Sequence, residues 1–267
     1  MLYHYSMSRI VGFFSCKGGI GKSSIIKVLS ANLSKIGKKT LVIDGYFGCN
    51  SIALDYDSAS NHKTFDLKNY FTGDSEIKDV VNKFNQNLFY IKTNNVMFNY
   101  VARKNQIHEI IKMLANYFDF ILIDINCFDD VKTKVFLEIC NEAVVVLNDE
   151  IQVVRNSAKL IQKICFYNNI KVKNLIVNYS RFVFQIKGKV LSKNDIEDVL
   201  KQEIIFEIKK SYKHNNYFNK KWWTSSSKFF DKLTYAFCEN RFVDGGEKKK
   251  YFGALGLLKR MVESKYE

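Results

Sequence analysis

The sequence predicts an α/β fold, a mainly parallel, doubly wound sheet flanked by helices. Three observations predict it. Continuous apolar runs recur at RIVGFFS (9–15), TLVID (40–44), FDFILID (118–124) and EAVVVLN (142–148). Runs without polar alternation belong to strands covered on both faces, as in parallel sheets. Stretches with apolar residues at helical spacing lie between the runs. The runs also close on acidic or polar residues: Asp44, Asp124, and Asn148 with Asp149. In open α/β sheets the carboxyl ends of the strands face the ligand crevice.

Each element follows from its own pattern. After the first strand and a glycine-rich loop, Ile26, Leu29, Leu33 and Ile36 mark one face of a helix over 23–36, which Gly37 stops. TLVID is the second strand, and 88–92 reads as another. A helix is expected over 106–117, then the FDFILID and EAVVVLN strands, a helix over 157–167, a strand at NLIVNY (174–179) and a helix over 194–202. There is no internal repeat and no low-complexity linker. The expected organisation is a single domain over 1–247 with a tail over 248–267.

Composition narrows the function classes. With 47% apolar residues the chain can build a core. The 41 Lys and Arg against 27 Asp and Glu give a net charge of +14. That balance fits an anionic partner such as nucleotide, nucleic acid or an anionic membrane face, and it fits a generally lysine-rich composition as well. Cysteines at 16, 49, 127, 140, 165 and 238 show no C-x-x-C spacing and no clustering with the four histidines. This argues against zinc and against a disulfide framework, and for a reducing compartment. The stretch MLYHYSMSRIVGFF lacks the apolar core and cleavage site of a secretion signal, so a cytoplasmic location is expected. No run approaches the ~18 apolar residues of a membrane span. The chain contains no proline, where average usage of ~5% gives about 13.

The chemistry concentrates in SCKGGIGKSS, residues 15–24. Glycines let backbone N–H groups turn inward and approach phosphate oxygens. The helix that follows aims its positive end at the same anion. Lys22 is placed to reach β- and γ-phosphates, and the Ser23 hydroxyl to ligate Mg²⁺. The strict pattern G-x-x-x-x-G-K-[ST] fails because its first glycine falls on Cys16. The pattern that fits is K-G-G-x-G-K-[ST], with an additional early lysine, Lys17.

On these residues the sequence resembles the MinD/ParA family of deviant Walker-motif ATPases, a P-loop NTPase architecture, over roughly residues 9–180. The resemblance implies an ATP- and Mg²⁺-binding site built from Lys17, Gly18, Gly19, Ile20, Gly21, Lys22, Ser23 and Ser24. It makes FDFILID the Walker B strand, with Asp124 holding the metal's water shell, and gives Asp44 to the metal side of the site. VVVLNDEIQVVRNS (144–157) is similar to the family's T-x-P-E-x-x-S-V-R-D stretch, and Asn178 matches the residue that reads the adenine edge. The family closes two subunits face to face over two ATP molecules. For Lys17 this implies a reach across an ATP-dependent homodimer to the partner's phosphates, where a second cation stabilises the transferring phosphoryl group. A spatial switch in cell division, partition or positioning is the implied role, with a regulatory protein partner still unidentified.

The sequence also departs from the family. Where D-x-D is usual, it reads Asp44-Gly45-Tyr46, with Asn50 at the ParA-type spacing. A phenol is neutral near pH 7 and does not replace the carboxylate that places the attacking water. The family's D-T-P-P appears as Asp124, Ile125, Asn126 and Cys127. Nucleotide binding with slow or lost hydrolysis is the expectation, which in the limit makes the protein a catalytically silent, nucleotide-gated scaffold; the alternatives are that Asp129 or Asp130 supplies the missing carboxylate, or that the loop aligns differently.

Beyond residue 205 the resemblance fades. In KKKYFGALGLLKRMVESKYE (248–267), Tyr251, Leu255, Leu258 and Val262 recur at helical spacing beside Lys248, Lys249, Lys250, Lys259 and Arg260. That is the make-up of an interfacial helix, and the MinD branch ends in a similar basic amphipathic segment. Gly253 and Gly256 weaken it in water by ~1 kcal/mol each. The expectation is peripheral attachment to the inner face of an anionic membrane, or packing on the protein itself or on a partner. The stretch 209–230 interleaves lysines with Tyr, Phe, Trp222 and Trp223. It fits contacts with non-specific DNA or a membrane interface, or a solvated basic face with the indoles tucked inward.

Overall fold

A computed structural model of the protein describes residues 8–45, 52–57, 64–93, 99, 101–125, 130–168, 172–178, 191–208 and 228–239. At its centre lie the apolar runs. β1 (Arg9–Phe14), β2 (Thr40–Gly45), β5 (Phe120–Ile125) and β6 (Glu142–Leu147) are buried at every position. With β3 (Asn82–Lys83), β4 (Leu88–Ile91), β7 (Val172–Asn178) and β8 (Ile204–Ile208) they form an eight-stranded sheet ordered β3-β4-β2-β5-β1-β6-β7-β8. Every pairing is parallel except β3 with β4. The short antiparallel β3 was not expected: it covers the sheet's edge, where an open strand invites foreign pairing.

The helices fall near their expected places. α1 (Lys22–Lys35) matches, α5 (Lys104–Leu114) is preceded by a 3₁₀ turn at Val101–Arg103, and α8 (Lys193–Leu200) is capped by Ser192. α7 (Ile151–Asn168) starts six residues before the expected 157. The short α2 (Ile52–Asp57), α3 (Leu67–Thr72) and α4 (Ile77–Val80), with α6 (Asp130–Leu137) and α9 (Lys228–Glu239), are additional to the expected elements.

Neighbouring elements cover α1. Lys27, Ser30, Asn32 and Ser34 are all buried on that helix, although an outer helix ordinarily exposes its polar face. Lys27 Nζ donates to Asp55 at 2.8 Å and Ser30 Oγ lies 2.9 Å from Tyr56 Oη, both on α2, while Ser34 Oγ donates to Asn85 after β3 at 2.8 Å. α9 packs against the same helix, and its Asp231 lies near Lys35. Arg9 fastens α9 to the sheet. Its guanidinium is buried, donates to both Glu142 carboxylate oxygens at 2.6 and 2.5 Å, and donates to the Phe237 carbonyl at 2.9 Å. It also stacks over the Phe237 ring at 4.5 Å and Phe120 at 5.3 Å.

Candidate functional site

β5 lies between β2 and β1, so their carboxyl ends share one edge. In the register, Asp124 stands opposite Asp44 of β2 and Phe13 of β1. β1 therefore delivers the glycine loop next to both acids, and β6, on its other side, delivers Asn148, Asp149 and Glu150. The expected convergence of 44, 124, 148 and 149 on the loop is what the topology produces.

Positive backbone angles at Gly19 (φ 72°) and Gly21 (φ 98°) turn the loop, a conformation that β-carbons oppose. Added β-carbons at Gly18 and Gly19 would meet nothing within 4 Å. Among the described residues no packing demands these two glycines. α1 begins at Gly21 without a side-chain cap and without an acidic residue in its first turn. An N-terminus left so is suited to a bound anion. Ile20 is buried and anchors the loop to the core, while Ser24 lies half-buried in the first turn.

Lys22, Ser23 and Asp124 come together as a triad. Lys22 Nζ contacts one Asp124 carboxylate oxygen, and Ser23 Oγ donates to the other at 2.5 Å. Asp124 is only 4% exposed and Asp44 1%. Buried carboxylates beside a hydroxyl form a hard-oxygen donor set, suited to Mg²⁺ and its water shell. Thr93 Oγ1 donates to the Asp44 carbonyl at 2.5 Å and ties β2 to the segment after β4, a contact that no pattern in the sequence announced.

Lys17 points elsewhere. Its ammonium donates to both Glu150 carboxylate oxygens, at 2.9 and 2.8 Å. Asn148 Nδ2 donates to the same carboxylate at 2.8 Å. The Lys17 hydrogen bond, joined by that of Asn148, holds the Glu150 carboxyl below its usual range. Glu150 was not singled out from the sequence, yet the Glu of the family's T-x-P-E stretch falls on it. Cys16, in place of the first glycine, donates to the Val153 carbonyl at 3.3 Å and lies 3.4 Å from Ser157 Oγ. The front of the loop is thereby seated on α7.

Asn178 closes β7 opposite Ile208 of β8; its side chain is outside the described residues. So are Tyr46, Asn50, Asn126, Cys127, Asp129, the stretch 209–227 with both tryptophans, and the tail 248–267. Among the described residues no group of His, Cys, Asp and Glu forms a metal cluster, and no helix is long and apolar enough to cross a membrane.

The family profile described as "AAA domain" matches residues 8–177, well over half the chain and all of the loop, Asp44 and Asp124. This chain belongs to the MinD/ParA family of P-loop ATPases. The septum site-determining protein MinD of Buchnera aphidicola (subspecies Schizaphis graminum) is 27% identical over 210 residues, covering 74% of this chain and 77% of that one. MinD of Escherichia coli K12 is 23% identical over 210 residues, with the same coverage. Among solved structures, Pyrococcus horikoshii MinD complexed with Mg-ADP superposes with a TM-score of 0.72 at 22% identity, covering 86% of this chain and 96% of that one. A plasmid partition protein of Borrelia burgdorferi bound to AMPPNP gives 0.66 at 20% identity, covering 87% and 99%. At such identities the structural likeness establishes the MinD/ParA fold.

Proposed function

We propose that this MinD/ParA-family protein is a nucleotide switch: it binds ATP with Mg²⁺, closes into a homodimer over the nucleotide, and works as a spatial positioning ATPase. The observation that carries the reading is the triad of Lys22, Ser23 and Asp124 beneath an open glycine turn, with buried Asp44 beside it. Ser23, Asp124 and Asp44 would hold the metal, directly or through water, and the metal when bound supplies neutralisation of phosphate charge. Lys22 and the N–H groups of 18–24 bind the triphosphate, Lys17 serves the partner's phosphates, and Asn178 reads the base. Mg-ADP with the Pyrococcus relative and AMPPNP with the Borrelia relative support the nucleotide class. Hydrolysis is slow, because Tyr46 occupies the place of the water-positioning acid. Membrane attachment through Lys248–Glu267 follows from avidity: two weak tails act together once ATP pairs the chains.

The test combines calorimetry with size-exclusion under ATP, ADP and no nucleotide, beside a phosphate-release assay. Millimolar Mg-ATP without heat of binding, or binding that Lys22→Ala leaves intact, overturns the assignment. Rapid single-turnover cleavage that Tyr46→Phe does not diminish overturns slow hydrolysis. Removal of 247–267 abolishes ATP-dependent sedimentation with anionic vesicles; undiminished sedimentation refutes the tail's role.

A second reading has its own support, the +14 charge and the likeness to a plasmid partition protein. On it, the surface bound in the ATP state is non-specific DNA, and binding falls steeply with salt. Vesicle and DNA binding run side by side separate the two.

A further inference from the structure

The two loop lysines leave in different directions. Lys22 turns inward onto Asp124, its side chain 15% exposed. Lys17 turns to the surface, 48% exposed, and gives two hydrogen bonds to Glu150. Glu150 has restraints of its own besides Lys17. It immediately precedes α7, its backbone carbonyl accepts from Val154 N at 3.0 Å, and Asn148 donates to its carboxylate at 2.8 Å. Long surface lysines ordinarily sample many rotamers. Here Asn148 also restrains the acceptor, so the pair costs less side-chain freedom than one between two unrestrained chains.

We infer that Glu150 is a positioning residue that parks Lys17 in the free protomer, in competition with the phosphates of a second copy. The inference rests on the reading that Lys17 serves a partner chain. Two of the three N–H donors of Lys17 are spent on a carboxylate of its own chain, so full engagement of a triphosphate held by another has to draw on the same donors and the same charge. An exposed ion pair suits such a latch, because it is weak enough to be displaced by a more highly charged acceptor. Cys16, one residue earlier, contacts Val153 and Ser157 of α7, so the same helix start holds both residues ahead of the glycines.

The test has two arms on the full chain. In the first, nucleotide-free protein is acetylated with an N-hydroxysuccinimide ester, and Lys17 modification is followed by mass spectrometry relative to exposed Lys159 on α7. Glu150→Gln should raise the Lys17 rate about threefold or more, and the charge-conserving Glu150→Asp should restore part of the protection. Equal rates in wild type and Glu150→Gln overturn the latch. In the second arm, sedimentation with Mg-AMPPNP measures the dimer. Two latches open per dimer, so Glu150→Gln should tighten it about 3- to 30-fold. A dimer unchanged or weakened by Glu150→Gln overturns the competition. Should wild type bind the nucleotide yet stay monomeric, the dimer reading fails, and the acetylation arm still decides whether Glu150 holds Lys17.

Discussion

Asp124→Asn isolates the triad on which the site depends. In the free protein Asp124 meets Lys22 through one oxygen and Ser23 through the other. Asparagine keeps the volume and one acceptor, but removes the charge that faces the Lys22 ammonium. Removing one partner of a buried pair costs about 3–5 kcal/mol. Side-chain exposures of 15% for Lys22 and 5% for Asp124 leave Lys22 some access to water. We therefore expect a loss of about 2–4 kcal/mol without nucleotide. For a chain of this size that lowers Tm by about 5–15 °C. The assay is urea and thermal unfolding of wild type, Asp124→Asn, Lys22→Met and the double variant. Lys22→Met strands Asp124, so it destabilises too, and the double variant regains part of the loss. A coupling energy below about 0.5 kcal/mol refutes the pair. Asp124→Asn should also abolish the Mg-ATP thermal shift.

Three further outcomes are expected. Gly45→Ala places a β-carbon 2.8 Å from the Asp124 carbonyl and 3.0 Å from the Phe136 ring, so β2 and β5 must part beside the site; urea unfolding should show a loss of about 1–3 kcal/mol. Lys17→Ala should move the Glu150 titration, followed by carboxyl ¹³C NMR, up toward its ordinary value. The lowered carboxyl in the wild type means the pair is intact above the usual carboxylate range and is lost as pH falls below it; an unmoved titration refutes the contact. Arg9→Met leaves Glu142 buried without its cation, which costs about 3–5 kcal/mol in urea unfolding. It also removes the donor to Phe237, so α9 amides should exchange faster; unchanged exchange refutes the role of Arg9 as fastener.

The local elements and the class of site are written in the residues themselves. β1, β2, β5 and β6 are legible because strands buried on both faces need uninterrupted apolar residues, whatever their neighbours are. The loop at 15–24 is legible because its glycines answer to backbone conformation, and Lys22 and Ser23 follow at fixed spacing. Asp44 and Asp124 could be placed at one edge because parallel strands bring their carboxyl ends together. Strand order, and everything joined across it, was decided only by tertiary structure. Lys17 and Glu150, like Arg9 and Glu142, are 133 positions apart, a separation that no local period records. α9 was unreadable for the same reason: its apolar face has meaning only against α1 and the ring of Phe13, 6.2 Å from that of Phe237. The short β3 and α2–α4 are too brief for a period to emerge; β3 is held by its pairing with β4, and α2 by its contacts with α1, β2 and β4. Periodicity reports which face of a segment avoids water; which other segment covers that face is settled by the packing of the whole chain.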